Sequence, residues 1–233
     1  MKNGEKIHKL ISAGKILLIP IIFAIFLVLW FYFIQDNILA YNLSSQFNNT
    51  TKIILDSLIR TFTHQNLTHL NSNIMMFLLF SFIIITLYKS KYYILILILS
   101  IICSMLVISI RYSSGVGFSI VTSCLYSISI IAFIYSCYNW YRKSIHKHYQ
   151  NTIIIYTLAL VFASRQLILD ISLLTGIYTK DNLGYLEYII DEIPQNYTAI
   201  SSEAHIFGFI FGCIIGLNLI LYINIMNIHI TRI

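Results

Sequence analysis

Six stretches of the chain stay apolar for about the length that a helix needs to cross a bilayer. They run approximately from Ile16 to Ile34, His69 to Tyr88, Tyr92 to Ile110, Ser119 to Tyr138, Thr152 to Leu174, and Ala204 to Tyr222. A hydrocarbon core about 30 Å thick takes roughly 20 helical residues, and a backbone in lipid must satisfy its own hydrogen bonds, so each stretch predicts a transmembrane helix. The first is too long for a signal-peptide core and lacks a small-x-small cleavage site, which predicts a retained span. Polar residues collect between the runs, and two of these segments are long. Residues 35–68 contain "LDSLIRTF", patterned as a short amphipathic helix lying in the interface. Residues 175–203 are polar and acidic, with breaks at Gly176, Gly184 and Pro194. The expected fold is all-α: a polytopic bundle of six transmembrane helices, one domain over residues 1–233, without internal repeats.

Composition agrees with that pattern. Hydrophobic residues make up 58% of the chain and charged residues 10%, with a mean hydropathy of +0.79, values that belong to membrane proteins. Charge then orients the bundle, because Lys and Arg near span ends stay cytoplasmic. With the N-terminus cytoplasmic, 10 of the 15 basic residues fall inside, and of the nine acids only Glu5 does. The net charge of +6 thus reports topology and an anionic inner leaflet, and no nucleic-acid motif accompanies it. Cys103, Cys124, Cys137 and Cys213 all lie within spans and form no C-x-x-C pair, so they read as small packing residues, with no disulfide framework, metal or cofactor implied.

Ionisable and polar residues inside a membrane are costly and mark candidate sites. Three segments carry them: "RTFTHQNLTHLNSN" with His64, His69 and Asn73; "SSGVGFSIVTS" with Gly115, Gly117 and Ser119; and "SSEAHIFGFIFG" with His205, Gly208 and Gly212. In the orientation set by the cations, the second, fourth and sixth spans all run from outside to inside. Their first turns share one depth near the outer surface, which gathers His69, Asn73, Ser119 and His205 into a single layer.

That layer holds the residue types that acyl transfer uses. A serine hydroxyl becomes a nucleophile when a base takes its proton, and imidazole titrates near neutrality, so Ser119 and His205 can form that pair. His69 and Asn73 are four residues apart, share a helix face and can point at one oxyanion. Gly115 and Gly117 allow the tight turn that brings the Ser119 amide near a substrate. Gly208 and Gly212 form a small-x-x-x-small seam for close helix contact, with His205 about one turn above Gly208.

These residues give the chain its resemblance to the rhomboid intramembrane serine proteases. "HQNLTHLNSN" (64–73), "GFSI" (117–120) and "AHIFGFIFG" (204–212) stand in the family's order on the corresponding spans. The resemblance implies that Ser119 is the nucleophile, His205 the base, and His69, Asn73 and the Ser119 amide the oxyanion donors. It places Arg60 where the family's first outer loop often has an arginine. It also implies transmembrane protein substrates, cut near the outer face and admitted between the second and fifth spans. The short chain fits a prokaryotic plasma membrane. One position departs from the pattern: Ile120 follows the serine where the family usually has glycine.

Taken singly, each residue has a plainer role. An early serine can bond back to a carbonyl, a span-end histidine can be interfacial, His64 can brace the first outer loop, and Arg165 and Asp170 can form a structural pair. Glu203, two residues before His205, is expected to point away from it and is not counted as a third member of a triad. The chain has no H-E-x-x-H for a zinc protease and no Gly-x-Gly-Asp for an aspartyl one. A catalytically silent, client-binding relative and a His-based cation carrier are the two other classes that fit part of the pattern. The sequence leaves substrate and oligomeric state open.

Overall fold

In the computed structural model of the chain, the described residues are 17–35, 49–64, 66–88, 92–111, 118–142, 153–161, 164, 168, 171 and 199–230. Among them are seven helices and no strand: α1 (Leu17–Ile34), α2 (Asn49–Phe62), α3 (Leu67–Leu87), α4 (Tyr93–Arg111), α5 (Phe118–Arg142), α6 (153–161) and α7 (Ala199–Ile230). Five of them, α1, α3, α4, α5 and α7, are long and apolar enough to span a membrane. The protein is an all-α, polytopic membrane protein. The fifth expected span, 152–174, is described only in part, as α6 and the helical residues 164, 168 and 171.

Helix starts differ from the apolar boundaries for identifiable reasons. Asn66 is extended (φ −156°, ψ 171°) and its side chain accepts from the His69 N–H at 2.8 Å, an N-cap that starts α3 at Leu67, before the expected His69. Helix α7 starts at Ala199, five residues before the apolar run, so His205 sits in its second turn and not at its head. Apolarity marks where hydrocarbon begins, whereas a helix can begin in the hydrated interface.

The segment read as an interfacial helix is helical, as α2. The last turn of α1, Trp30–Ile34, is π-helical, with the Gln35 N–H donating to the Trp30 carbonyl five residues back.

The bundle is apolar outside and mixed inside. Ile22, Ile25, Ile98, Leu106 and Ile214 face outward, while Ser81, Ser100, Ser104, Ser127 and Ser129 are fully buried. Lipid is as apolar as leucine, so close contact and hydrogen bonds between small residues hold such helices together. Tyr93 Oη donates to Ser81 Oγ at 2.7 Å, Thr61 Oγ1 and Ser104 Oγ share a bond of 3.2 Å, and Tyr126 Oη donates to the Leu160 carbonyl at 3.3 Å. These bonds tie α4 to α3, α2 to α4, and α5 to α6.

Between α1, α2, α3 and α5 lies an aromatic layer. Phe118 packs against Phe23, Phe62 and Phe77 at centroid distances of 5.7, 6.4 and 5.3 Å, and Phe26 meets Phe62 edge-on at 5.6 Å. Phe77 and Phe118 are fully buried.

Candidate active site

Helices α3, α5 and α7 run parallel, which follows from their contacts. Gly208, Gly212 and Gly216 of α7 lie against Ile120, Cys124 and Ile131 of α5 in that order. Likewise Phe77 of α3 meets Phe118 of α5, and Phe80 meets Tyr126. The N-terminal ends of all three helices therefore share one side of the bundle.

The α5–α7 contact, the most extensive between any two described helices, sets glycines of α7 against both main chain and side chains of α5. A Cβ on Gly208 would stand 2.7 Å from the Ile120 carbonyl oxygen and 3.1 Å from its Cγ2. One on Gly212 would overlap Ser127 Oγ and the Cys124 carbonyl. Only glycine fits at these positions, and the fit fixes the register. Ser119 directly precedes Ile120, and His205 lies three residues above Gly208. At about 1.5 Å of rise per residue, the two levels differ by only about 3 Å along the bundle.

Ser119 and His205 are both buried, at 9% and 8% exposure. Ala204, next to His205, shares a buried cluster with Ile120, Cys103, Val107 and Ile108, and Phe207 packs on it. The departure at Ile120 is thus absorbed by helix packing: its side chain fills the space among α4, α5 and α7.

Position two of α5 gives Ser119 a second property. The first four N–H groups of a helix have no intrahelical acceptor, so the Ser119 amide, beside its own hydroxyl, has no acceptor within α5. Thr122 Oγ1 bonds back to the Ser119 carbonyl at 2.8 Å.

On α3, Asn73 is buried at 6% exposure, and its Nδ2 has no hydrogen-bond partner among the described residues. Such a group costs about 1–3 kcal/mol. His69 stands one turn earlier, near enough to His205 for the two imidazoles to interact electrostatically. Its ring also meets that of His64 edge-on, with centroids 5.4 Å apart.

His64 is a buried residue of the connection between α2 and α3. Its Nδ1 donates to the Phe62 carbonyl at 3.0 Å, because a carbonyl only accepts. That leaves Nε2 as a buried lone pair with no partner among the described residues. Burial, with His69 adding to it, lowers the His64 pKa to about 4, against a smaller opposing effect of the Phe62 bond. The ring is neutral at neutral pH and lies 6.4 Å from Phe118, the neighbour of Ser119.

Arg60 lies at the end of α2, where its Nε donates to Asp56 Oδ2 at 2.8 Å, an i,i+4 pair within one helix. Gly115, Gly117, Arg165, Asp170, Gly176 and Gly184 lie outside the described residues. Among the described residues, no three His, Cys, Asp or Glu side chains converge in a way that could hold a metal ion. The four cysteines are free thiols.

The family model of the Rhomboid domain matches residues 52–222. The chain belongs to the rhomboid family. Rhomboids are generally intramembrane serine proteases acting on transmembrane proteins, though inactive forms exist. No curated protein and no solved structure matches this rhomboid at a significant level.

Sequence reasoning overlooked two residues near the site of this rhomboid. Phe118 gave no signal in a run already rich in apolar residues, yet it joins the aromatic layer to the serine. Gln35, buried at 8% exposure, looked like an ordinary polar residue ending a span; its carboxamide pairs with the main chain of His64.

Proposed function

We propose that this rhomboid is an intramembrane serine endopeptidase that hydrolyses transmembrane segments near the outer face through a Ser119–His205 dyad. Ser119 Oγ attacks the scissile carbonyl as its proton passes to His205. The oxyanion takes hydrogen bonds from the Ser119 N–H, Asn73 Nδ2 and His69. His205 then gives the proton to the leaving amine, and the C–N bond breaks to leave an acyl-enzyme. A water loses its proton to His205 and attacks the ester, and Ser119 is regenerated as the carboxylic product departs.

The observation that carries this reading is the unpartnered Asn73 Nδ2. A buried amide donor without an acceptor is a stability cost with no structural return, and it becomes useful when negative charge forms beside it. The client-binding alternative rested on Ile120, whose side chain packs between helices. The cation-carrier alternative needs converging ligands of a kind absent among the described residues.

The test uses purified protein in liposomes with a fluorophosphonate probe and a model transmembrane substrate. Wild type labels and cleaves, whereas Ser119→Ala and His205→Ala do neither. Folded wild type that neither labels nor cleaves several substrates would sink the protease reading in favour of client binding.

A further inference from the structure

The two main-chain groups of His64 are both taken by one side chain. Gln35 Nε2 donates to the His64 carbonyl at 2.8 Å, and the His64 N–H donates to Gln35 Oε1 at 2.9 Å. The carboxamide pairs with residue 64 as a neighbouring strand would, across 29 positions of sequence. Residue 64 needs this because it is buried and outside a helix, and a buried backbone group left unpaired is costly. The π-turn at Trp30–Ile34 aims the amide. It holds one residue more per turn than an α-helix, which shifts Gln35 around the axis by about a quarter turn or slightly more.

From this we infer that Gln35 is a positioning residue for the oxyanion donors, acting through the connection ahead of α3. His64 is fixed at its backbone by Gln35 and at its ring by the Phe62 carbonyl. Two residues later Asn66 caps α3, which sets the start of the helix that carries His69 and Asn73. A carboxamide withdrawn from residue 64 frees the connection and lets the first turns of α3 drift relative to Ser119. Ser119 is fixed separately, by the glycine contact between α5 and α7. The change therefore falls on the oxyanion donors and spares the dyad. This inference rests on the protease reading.

Two variants separate hydrogen bonding from space filling. Gln35→Met keeps the volume and loses both bonds. Gln35→Glu keeps both while protonated, since a carboxylic acid donates to the His64 carbonyl and accepts from its N–H, and it loses the donor on ionisation. Misplacement on the scale of 1 Å costs about 100-fold in rate, so Gln35→Met is expected to lower kcat about 10- to 100-fold with KM little changed. Gln35→Glu should recover activity relative to wild type as pH falls. On an Asn73→Ala background, Gln35→Met should have little further effect on kcat.

The second readout does not depend on activity. Amide exchange in a peptide covering residues 62–69 should quicken about tenfold in Gln35→Met, the equivalent of one lost hydrogen bond. Wild-type kcat in Gln35→Met, a full multiplicative loss on the Asn73→Ala background, or a Gln35→Glu profile parallel to wild type would each overturn the inference. If wild type is inactive on every substrate, the protease reading fails by itself. Unchanged exchange in Gln35→Met then overturns the clamp, and faster exchange upholds it as the device that holds this connection.

Discussion

The two halves of the candidate site are held in different ways. On the serine side, glycines of α7 lie against carbonyl oxygens and short or branched side chains of α5, leaving no room for a Cβ. On the oxyanion side, the segment leading into α3 rests on an aromatic layer and is fixed by side-chain hydrogen bonds from Gln35, His64 and Asn66. The first half is rigid because it is close-packed. The second is held by directional bonds, each of which one substitution can remove. The comparison predicts that volume changes damage the dyad half and lost hydrogen bonds damage the oxyanion half.

The largest expected effect is on Asn73. Loss of one oxyanion donor costs about 100- to 1,000-fold in kcat, so Asn73→Ala should fall in that range. Asn73→Leu should also resist denaturation better than wild type, because it removes an unpaired buried donor. Equal kcat, or a loss of stability matching the loss of rate, would show that Asn73 is a structural residue.

Next come the glycines. Gly212→Ala places a methyl group on both Ser127 Oγ and the Cys124 carbonyl, and overpacking of this kind costs about 1–3 kcal/mol. Gly208→Ala should cost less but should cut fluorophosphonate labelling of Ser119 about tenfold, since one such unit of rate is about 1.4 kcal/mol. Adding Ile120→Ala to Gly208→Ala should restore only part of this, because the nearer obstacle is the Ile120 carbonyl oxygen and not its Cγ2. Full rescue would place the contact in the side chain and weaken the contrast between the two halves.

A smaller effect concerns pH. His64 binds its proton at about 4 in the folded protein against 6.5 in an unfolded chain. Between those values the unfolded chain holds more protons, so stability present above pH 6.5 is lost as pH falls toward 4. Resistance to SDS should decline across that window in wild type and decline less in His64→Gln. Identical profiles would remove His64 from the account. The smallest effect belongs to Asp56→Asn. Its pair with Arg60 is a part-exposed i,i+4 contact worth about 0.3–0.5 kcal/mol, so neither stability nor kcat should move measurably.

Much of this arrangement was legible because of parity. Spans of the same sense bring their first turns to one depth, so cations in the links were enough to expect His69, Asn73, Ser119 and His205 at a common level. The contacts of α3, α5 and α7 show the three helices running parallel, with their N-terminal ends on one side of the bundle. The spans themselves follow from apolar length alone. What could not be read depends on partners or phase. Gln35 bonds to main chain, which carries no residue signature. A π-turn inside an apolar run changes no letter of the sequence. Ile120 differs from the family pattern in type, and only its neighbours Ala204, Cys103, Val107 and Ile108 explain how that difference is accommodated.

The parallel course of α3, α5 and α7 also has an electrical consequence. Each helix carries the equivalent of roughly half a positive elementary charge at its N-terminus, and antiparallel neighbours would cancel it. Here three such ends point to one side of the bundle. The resulting field favours negative charge that develops beside those first turns, where the Ser119 amide lies. The backbone's direction of travel therefore biases this site toward an anion before any side chain acts.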